Sequence, residues 1–283
     1  MSERAGSREP RPVEVGAEAE PVKLGSMLFT VVEPHRGHEV PYNRWYERDH
    51  FYSGSMVGPY TFAGRRFVAT AALKALRDPD PSVITGTPER GSYVSVYWIH
   101  HGYHTVWNRW ALRQVNALHA AGRMFEERDH VHTLPYEYCW EFRRDPDGVP
   151  IEVALDHPYW GLVAVFIDRA EDTTNEELWE WLRAEHLPSL LPGSDADLVA
   201  AFTPMTVEAD GPGDVRRVPV TEGDGRTLLL WFLSTPPEVA WETVIVEHRC
   251  RLEETGLGRV VAALPFIPTI PGTDTYTDQL WLD

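Results

Sequence analysis

Two short stretches of this chain read alike: Trp45-Tyr46-Glu47-Arg48-Asp49-His50-Phe51 and Trp181-Leu182-Arg183-Ala184-Glu185-His186-Leu187-Pro188. One constant shift lays Trp45 on Trp181, Asp49 on Glu185, His50 on His186 and Phe51 on Leu187. The same shift lays Phe29 on Val165 and Val31 on Ile167, and a slightly smaller one lays Trp107 on Trp241. An internal repeat of this length is an architectural signal, because each copy must build the same supersecondary unit.

Outward from the first stretch, Met27–Val32 is an apolar, β-branched run and reads as a buried strand. Pro41 opens a helix over 42–52, proline being suited to a first helical turn. Strands follow at 61–71 and 93–99, then a helix over 105–127 and a strand over 131–142. The turn cluster Asp145-Pro146-Asp147-Gly148 marks a boundary. The order then repeats: a strand at 162–167, a helix capped by Thr173 with Glu176 and running to Leu190, strands at 197–206 and 228–233, a helix from Thr235 to Gly256, and a last strand between Val260 and Trp281. Long connections fill 72–91 and 208–226. The pattern is β-α-β-β-α-β twice, an α+β chain of tandem ferredoxin-like repeats. Each four-stranded sheet has helices on one face, so the bare faces pack together as a pseudo-dimeric α/β barrel within one chain. The expected division is a flexible tail over 1–23, a first unit over 24–148 and a second over 149–283. Within each unit the third strand is expected at the sheet edge.

The chain has 283 residues, 43 % of them apolar and 11 % aromatic, enough to bury a large core. Its net charge is −17, with 26 basic against 43 acidic residues, which disfavours nucleic acid and anionic membranes. No run is apolar enough for a membrane span, and Met1 to Pro21 has no signal-peptide core. Cys139 and Cys250 form no disulfide framework or zinc pattern, so a cytoplasmic location is expected.

The two quoted stretches, each ending a helix with Trp, an acidic residue, His and Phe or Leu, resemble the motif of the dimeric α/β-barrel superfamily, most closely its EthD-like branch. The resemblance implies a pocket between sheet and helices, small hydrophobic or aromatic ligands, and a chain that is a monomer or homodimer. Relatives include cofactor-free cyclases, lactone isomerases and quinone-forming oxygenases, with haem binders more distant. The histidine bordering the pocket acts in some as acid or base.

Histidine suits proton transfer near neutral pH, which makes His50 the first catalytic candidate, with Tyr46 and Asp49 beside it. The bland alternative is a histidine capping its helix. His186 is its counterpart, in a less polar copy. His101 and His104 lie in a loop after the third strand and could act in catalysis. Joined by His130 and His132, placed on one strand face by alternation, they could instead share a metal. Tyr93 and Tyr97 share one strand face, as do Tyr136 and Tyr138; these, with Trp98, could line a pocket for a flat substrate or simply fill the barrel. One of Arg65 and Arg66 should point inward, pairing with Asp49 or Glu137 or binding a carboxylate or enolate.

The expectation is a small-molecule lyase, isomerase or cyclase using acid–base chemistry at His50 without a cofactor, working mainly in the first repeat. The alternatives are an oxidoreductase, either cofactor-independent or using haem or a transition metal, and a non-catalytic binding protein for a hydrophobic metabolite.

Overall fold

The structure is a computed structural model and describes residues 21–205 and 225–282. The expected tail therefore lies almost wholly outside the described residues, as does most of the 208–226 connection.

Nine strands form one sheet: β1 (Leu24–Pro34), β2 (Thr61–Val68), β3 (Asp78–Pro79), β4 (Tyr93–His100), β5 (Arg128–Arg143), β6 (Gly161–Arg169), β7 (Ala196–Pro204), β8 (Arg226–Leu233) and β9 (Gly258–Pro268). The first half runs β2-β4-β1-β5 and the second β7-β8-β6-β9, the same order twice. β5 pairs with β7, and β9 pairs with β2, so the sheet closes into a barrel. The fold is the tandem ferredoxin-like α+β barrel that the repeat implies. One detail differs: β4 pairs with both β1 and β2 and is internal, not an edge.

β1 is apolar throughout because both its faces are covered. Phe29 and Val31 point into the barrel, while Val32 packs under the first-half helix. The barrel core joins the halves: Phe29 meets Phe166 at 6.2 Å and Trp98 stacks on Phe202 at 5.7 Å. Phe166, not Val165, is thus the strand counterpart of Phe29, since Val165 packs with the second-half helices. The repeat is in register at the helices and one residue out in these strands.

The helices differ from expectation in detail. The second-half cap is Thr174 with Glu177, one residue later than expected, and both bonds of a capping box form. The 72–91 connection is structured, with a helix over Ala71–Leu76, β3 and a turn over Ser82–Thr85. The C-terminal segment returns to the first half. Buried Glu33 accepts hydrogen bonds from Ser92 N, Ser92 Oγ and Trp281 Nε1, and Lys74 donates to Ser92 Oγ and to the Leu280 carbonyl. That network seats Leu280 against Tyr42, Tyr46 and Tyr93.

Candidate functional site

The first-half helix begins at Glu39–Trp45 and continues as π-type turns over Tyr46–His50 and Tyr52–Met56. Phe51 N–H donates to the Tyr46 carbonyl, a five-residue span. That wider turn brings residues five apart onto one face, where an ordinary helix aligns residues three and four apart. Trp45 and His50 therefore stack, 4.4 Å between centroids and 18° between planes. Gly54 covers the other side of the imidazole: a Cβ there would sit 3.0 Å from the ring. His50 Nδ1 is buried without a partner. Burial first, with Arg128 and His130 nearby, pushes the His50 pKa down to about 3. The ring is thereby held in its neutral form through the physiological range. Asp49 pairs with Arg123, not with Arg65 or Arg66.

On the sheet side of this helix the candidate tyrosines meet an arginine. Tyr46 and Tyr97 hydrogen-bond through their hydroxyls, 3.0 Å apart. Arg66 is 5 % exposed and lays its guanidinium over Tyr46 at 4.4 Å and Tyr93 at 5.1 Å. Its Nη1 donates to Asn43 Oδ1 at 3.1 Å. Arg65 is half-buried and donates to the carbonyls of Leu155 and His157. Both arginines line a cavity of ≈ 330 Å³ with Glu47, Phe51, Tyr52 and Asp156.

A second cavity, ≈ 360 Å³, lies at the end of the helix His104–Ala120. His119, Met124, Phe125, Glu126, Arg128 and His130 line it. His130 Nδ1 lies 3.0 Å from Thr133 Oγ1. Trp45 joins this cavity to the π-turn: its ring packs 5.6 Å from Phe125, and the Arg128 guanidinium lies 5.0 Å over it.

The remaining candidates are dispersed. His101 is exposed in the loop, and His104 bonds Ser26 Oγ through Nδ1 at 2.8 Å. A bulge between His130 and His132 breaks the alternation expected of them. His132 turns into the barrel, where it bonds Tyr136 Oη at 2.7 Å and packs on Phe29 and Phe166. The four imidazoles therefore do not converge, and among the described residues no three His, Cys, Asp or Glu side chains group to hold a metal. Trp98, Tyr136 and Tyr138 belong to the barrel core. His186 stacks on Trp181 at 4.6 Å and bonds the fully buried His248, Nε2 to Nδ1, at 2.8 Å. Trp231 closes on His248 at 4.9 Å.

The sequence reading missed His119, Met124 and Arg128 around one cavity and Glu47 and Asp156 around the other. Gly122, with φ of +65°, ends the long helix and turns Met124 and Phe125 back toward Trp45. That glycine is the signal that could have marked the site. Asp156 reaches its cavity by tertiary folding and carried no local signal.

No family model matches this chain, and no curated protein does. Solved structures do match. A protein described as a chlorite dismutase aligns over 91 % of this chain and 100 % of its own, with TM-score 0.51 and 11 % identity. A DypB variant from Rhodococcus jostii RHA1 in complex with heme aligns over 93 % and 97 %, with TM-score 0.51 and 9 % identity. The first is described as a dismutase, and the second holds heme. This overturns the expectation of cofactor-free acid–base catalysis, and with it the expectation of no cofactor. At these identities the likeness is one of fold: the chain has the ferredoxin-like dimeric α/β-barrel fold.

Proposed function

We propose that the chain is a haem-dependent oxidoreductase whose cofactor site is the cavity at the end of the helix His104–Ala120. The observation that supports this is the donor set around that cavity: the imidazoles of His119 and His130 and the thioether of Met124. Imidazole and thioether both ligate haem iron, so these side chains would hold it. Arg128 lines the same wall and suits the carboxylate of a propionate. Phe125, backed by Trp45, supplies an apolar surface.

When bound, haem would supply one-electron and oxygen chemistry. The chain's own residues bind and orient. Thr133 fixes the tilt of His130 through Nδ1, the kind of outer contact that orients ligating imidazoles, and Nε2, 3.4 Å from Arg128 Nη2, would exchange that neighbour for the iron as Arg128 turned to a propionate. The Trp45–His50 stack braces the floor, because His50 is neutral and cannot swing between Trp45 and Gly54. His248 has the right ligand atom, an unpartnered Nε2, but no space beside it. The second repeat is therefore read as structural, with the working site in the first unit, residues 24–148. On this reading the chain sits with the haem-binding members of its superfamily, not the EthD-like branch.

The test is reconstitution with hemin, followed by gel filtration and measurement of haem and protein in the same fraction. Near one haem per chain, with a sharp Soret band, supports the proposal. A colourless fraction overturns it.

A further inference from the structure

The other cavity carries an independent site. Arg66 is 5 % exposed, and its Nε and Nη2 are buried with no hydrogen-bond partner. A buried cation left half-bonded is costly, because its lost hydration is not replaced. The two bare groups form one edge of the guanidinium fork. Elsewhere this chain uses that same edge to grip a carboxylate: Arg226 holds Asp168 through Nε and Nη2 at 2.6 and 2.8 Å. Arg66 forms no ion pair among the described residues, and its remaining nitrogen is spent on Asn43, itself anchored to the Thr273 carbonyl at 2.9 Å.

The surroundings set the ligand's character. Phe51 and Tyr52 give the cavity aromatic walls, and Gly64 lets Met56 and Tyr97 pack close against its backbone, where a Cβ would approach them to 2.5 and 2.9 Å. Arg65 also lines the cavity but is committed to two backbone carbonyls. Two carboxylates face the site. Asp156 stands beside Arg65, and Glu47 accepts from Gly272 N at 3.2 Å through Oε2 while its buried Oε1, 3.8 Å from Arg48 Nε, has no hydrogen-bond donor. Two acids on the wall oppose a polyanion, but one anionic end and one hydroxyl donor would satisfy both bare groups.

We infer that this cavity binds a small aromatic hydroxycarboxylate, its carboxylate on the Arg66 Nε–Nη2 edge, its ring against the joined Phe51–Tyr52 wall, and its hydroxyl donating to Glu47. The inference stands without haem, since it concerns a different cavity.

Calorimetric titration of the haem-free chain with 4-hydroxybenzoate tests it, with 4-hydroxybenzyl alcohol as the uncharged comparator. Saturable binding of the acid and about tenfold weaker binding of the alcohol are expected. Arg66→Met keeps the bulk and removes the buried charge. It should keep or raise the melting temperature while weakening the acid about 10- to 100-fold. Glu47→Gln, whose amide keeps an acceptor, should bind benzoate as the wild type does. Equal binding of acid and alcohol, undiminished binding by Arg66→Met, or no saturation by 4-hydroxybenzoate would each overturn the inference. If Arg66→Met does not fold, Arg66→Lys, which keeps the charge but not the fork, should weaken the acid by a similar factor.

Discussion

Trp45 and His50 stack at 4.4 Å and 18°, and Trp181 and His186 repeat that stack at 4.6 Å and 19° in the other half of the chain. Both pairs are five residues apart and both sit across a π-type turn. The motif that reveals the repeat is thus first a geometric device: the wide turn makes an i,i+5 stack, and the stack fixes the histidine. What lies beyond each ring differs. His50 has a cavity nearby lined by His130 and Arg128, whereas His186 meets His248 and a closed core.

Gly54→Ala tests the clamp on His50. The new Cβ would sit 3.0 Å from a ring that Trp45 blocks on its far side. The ring cannot give way, so overpacking should cost about 1–3 kcal/mol. Urea unfolding of the variant measures it, and a stability equal to wild type would show that the ring is free to move.

Acid sensitivity follows from the buried imidazoles. Burial holds His50 and His132 at pKa values of about 3 and His186 at about 4, all below the ordinary value. At pH 7.5 both folded and unfolded chains keep these groups neutral. Below the unfolded value near 6.5, only the unfolded chain takes up the protons, so stability falls as pH drops toward 4. Each such histidine contributes a loss of up to about 1.4 kcal/mol per pH unit. Urea midpoints at pH 7.5, 6 and 5 should fall progressively, and replacing His132 with Leu should flatten the trend.

His248→Ala separates structure from function in the second repeat. It removes a fully buried ring from Trp231 and strips His186 Nε2 of its partner. Cavity and unsatisfied-atom costs together should reach about 2–4 kcal/mol. Denaturant unfolding should show that loss, while hemin affinity stays as in the wild type.

How far the sequence could be read depended on where each signal lived. The repeat and the strand periodicities carried the barrel, because both units follow from local pattern. Arg66 was legible as an anomaly, a charge in a strand otherwise apolar toward the helix layer. Tyr93 and Tyr97 followed from alternation: Tyr97 bonds Tyr46, and Tyr93 lies under Arg66. His130 and His132 were misplaced because a bulge, invisible in the residues, turned one of them into the barrel. His50 looked like an acid–base residue because its burial comes from Gly54 and Trp45 through an unforeseen π-turn. Asp156 and the C-terminal residues Thr269 and Pro271 reach the arginine cavity only through the closure of the barrel.

The most direct measurement is a hemin titration of the wild type, His130→Ala and His248→Ala, followed in the Soret region. Stoichiometric binding is expected of the wild type and of His248→Ala, and affinity weakened roughly tenfold or more in His130→Ala. Equal binding by wild type and His130→Ala, with loss in His248→Ala, would place haem in the second repeat and contradict the account.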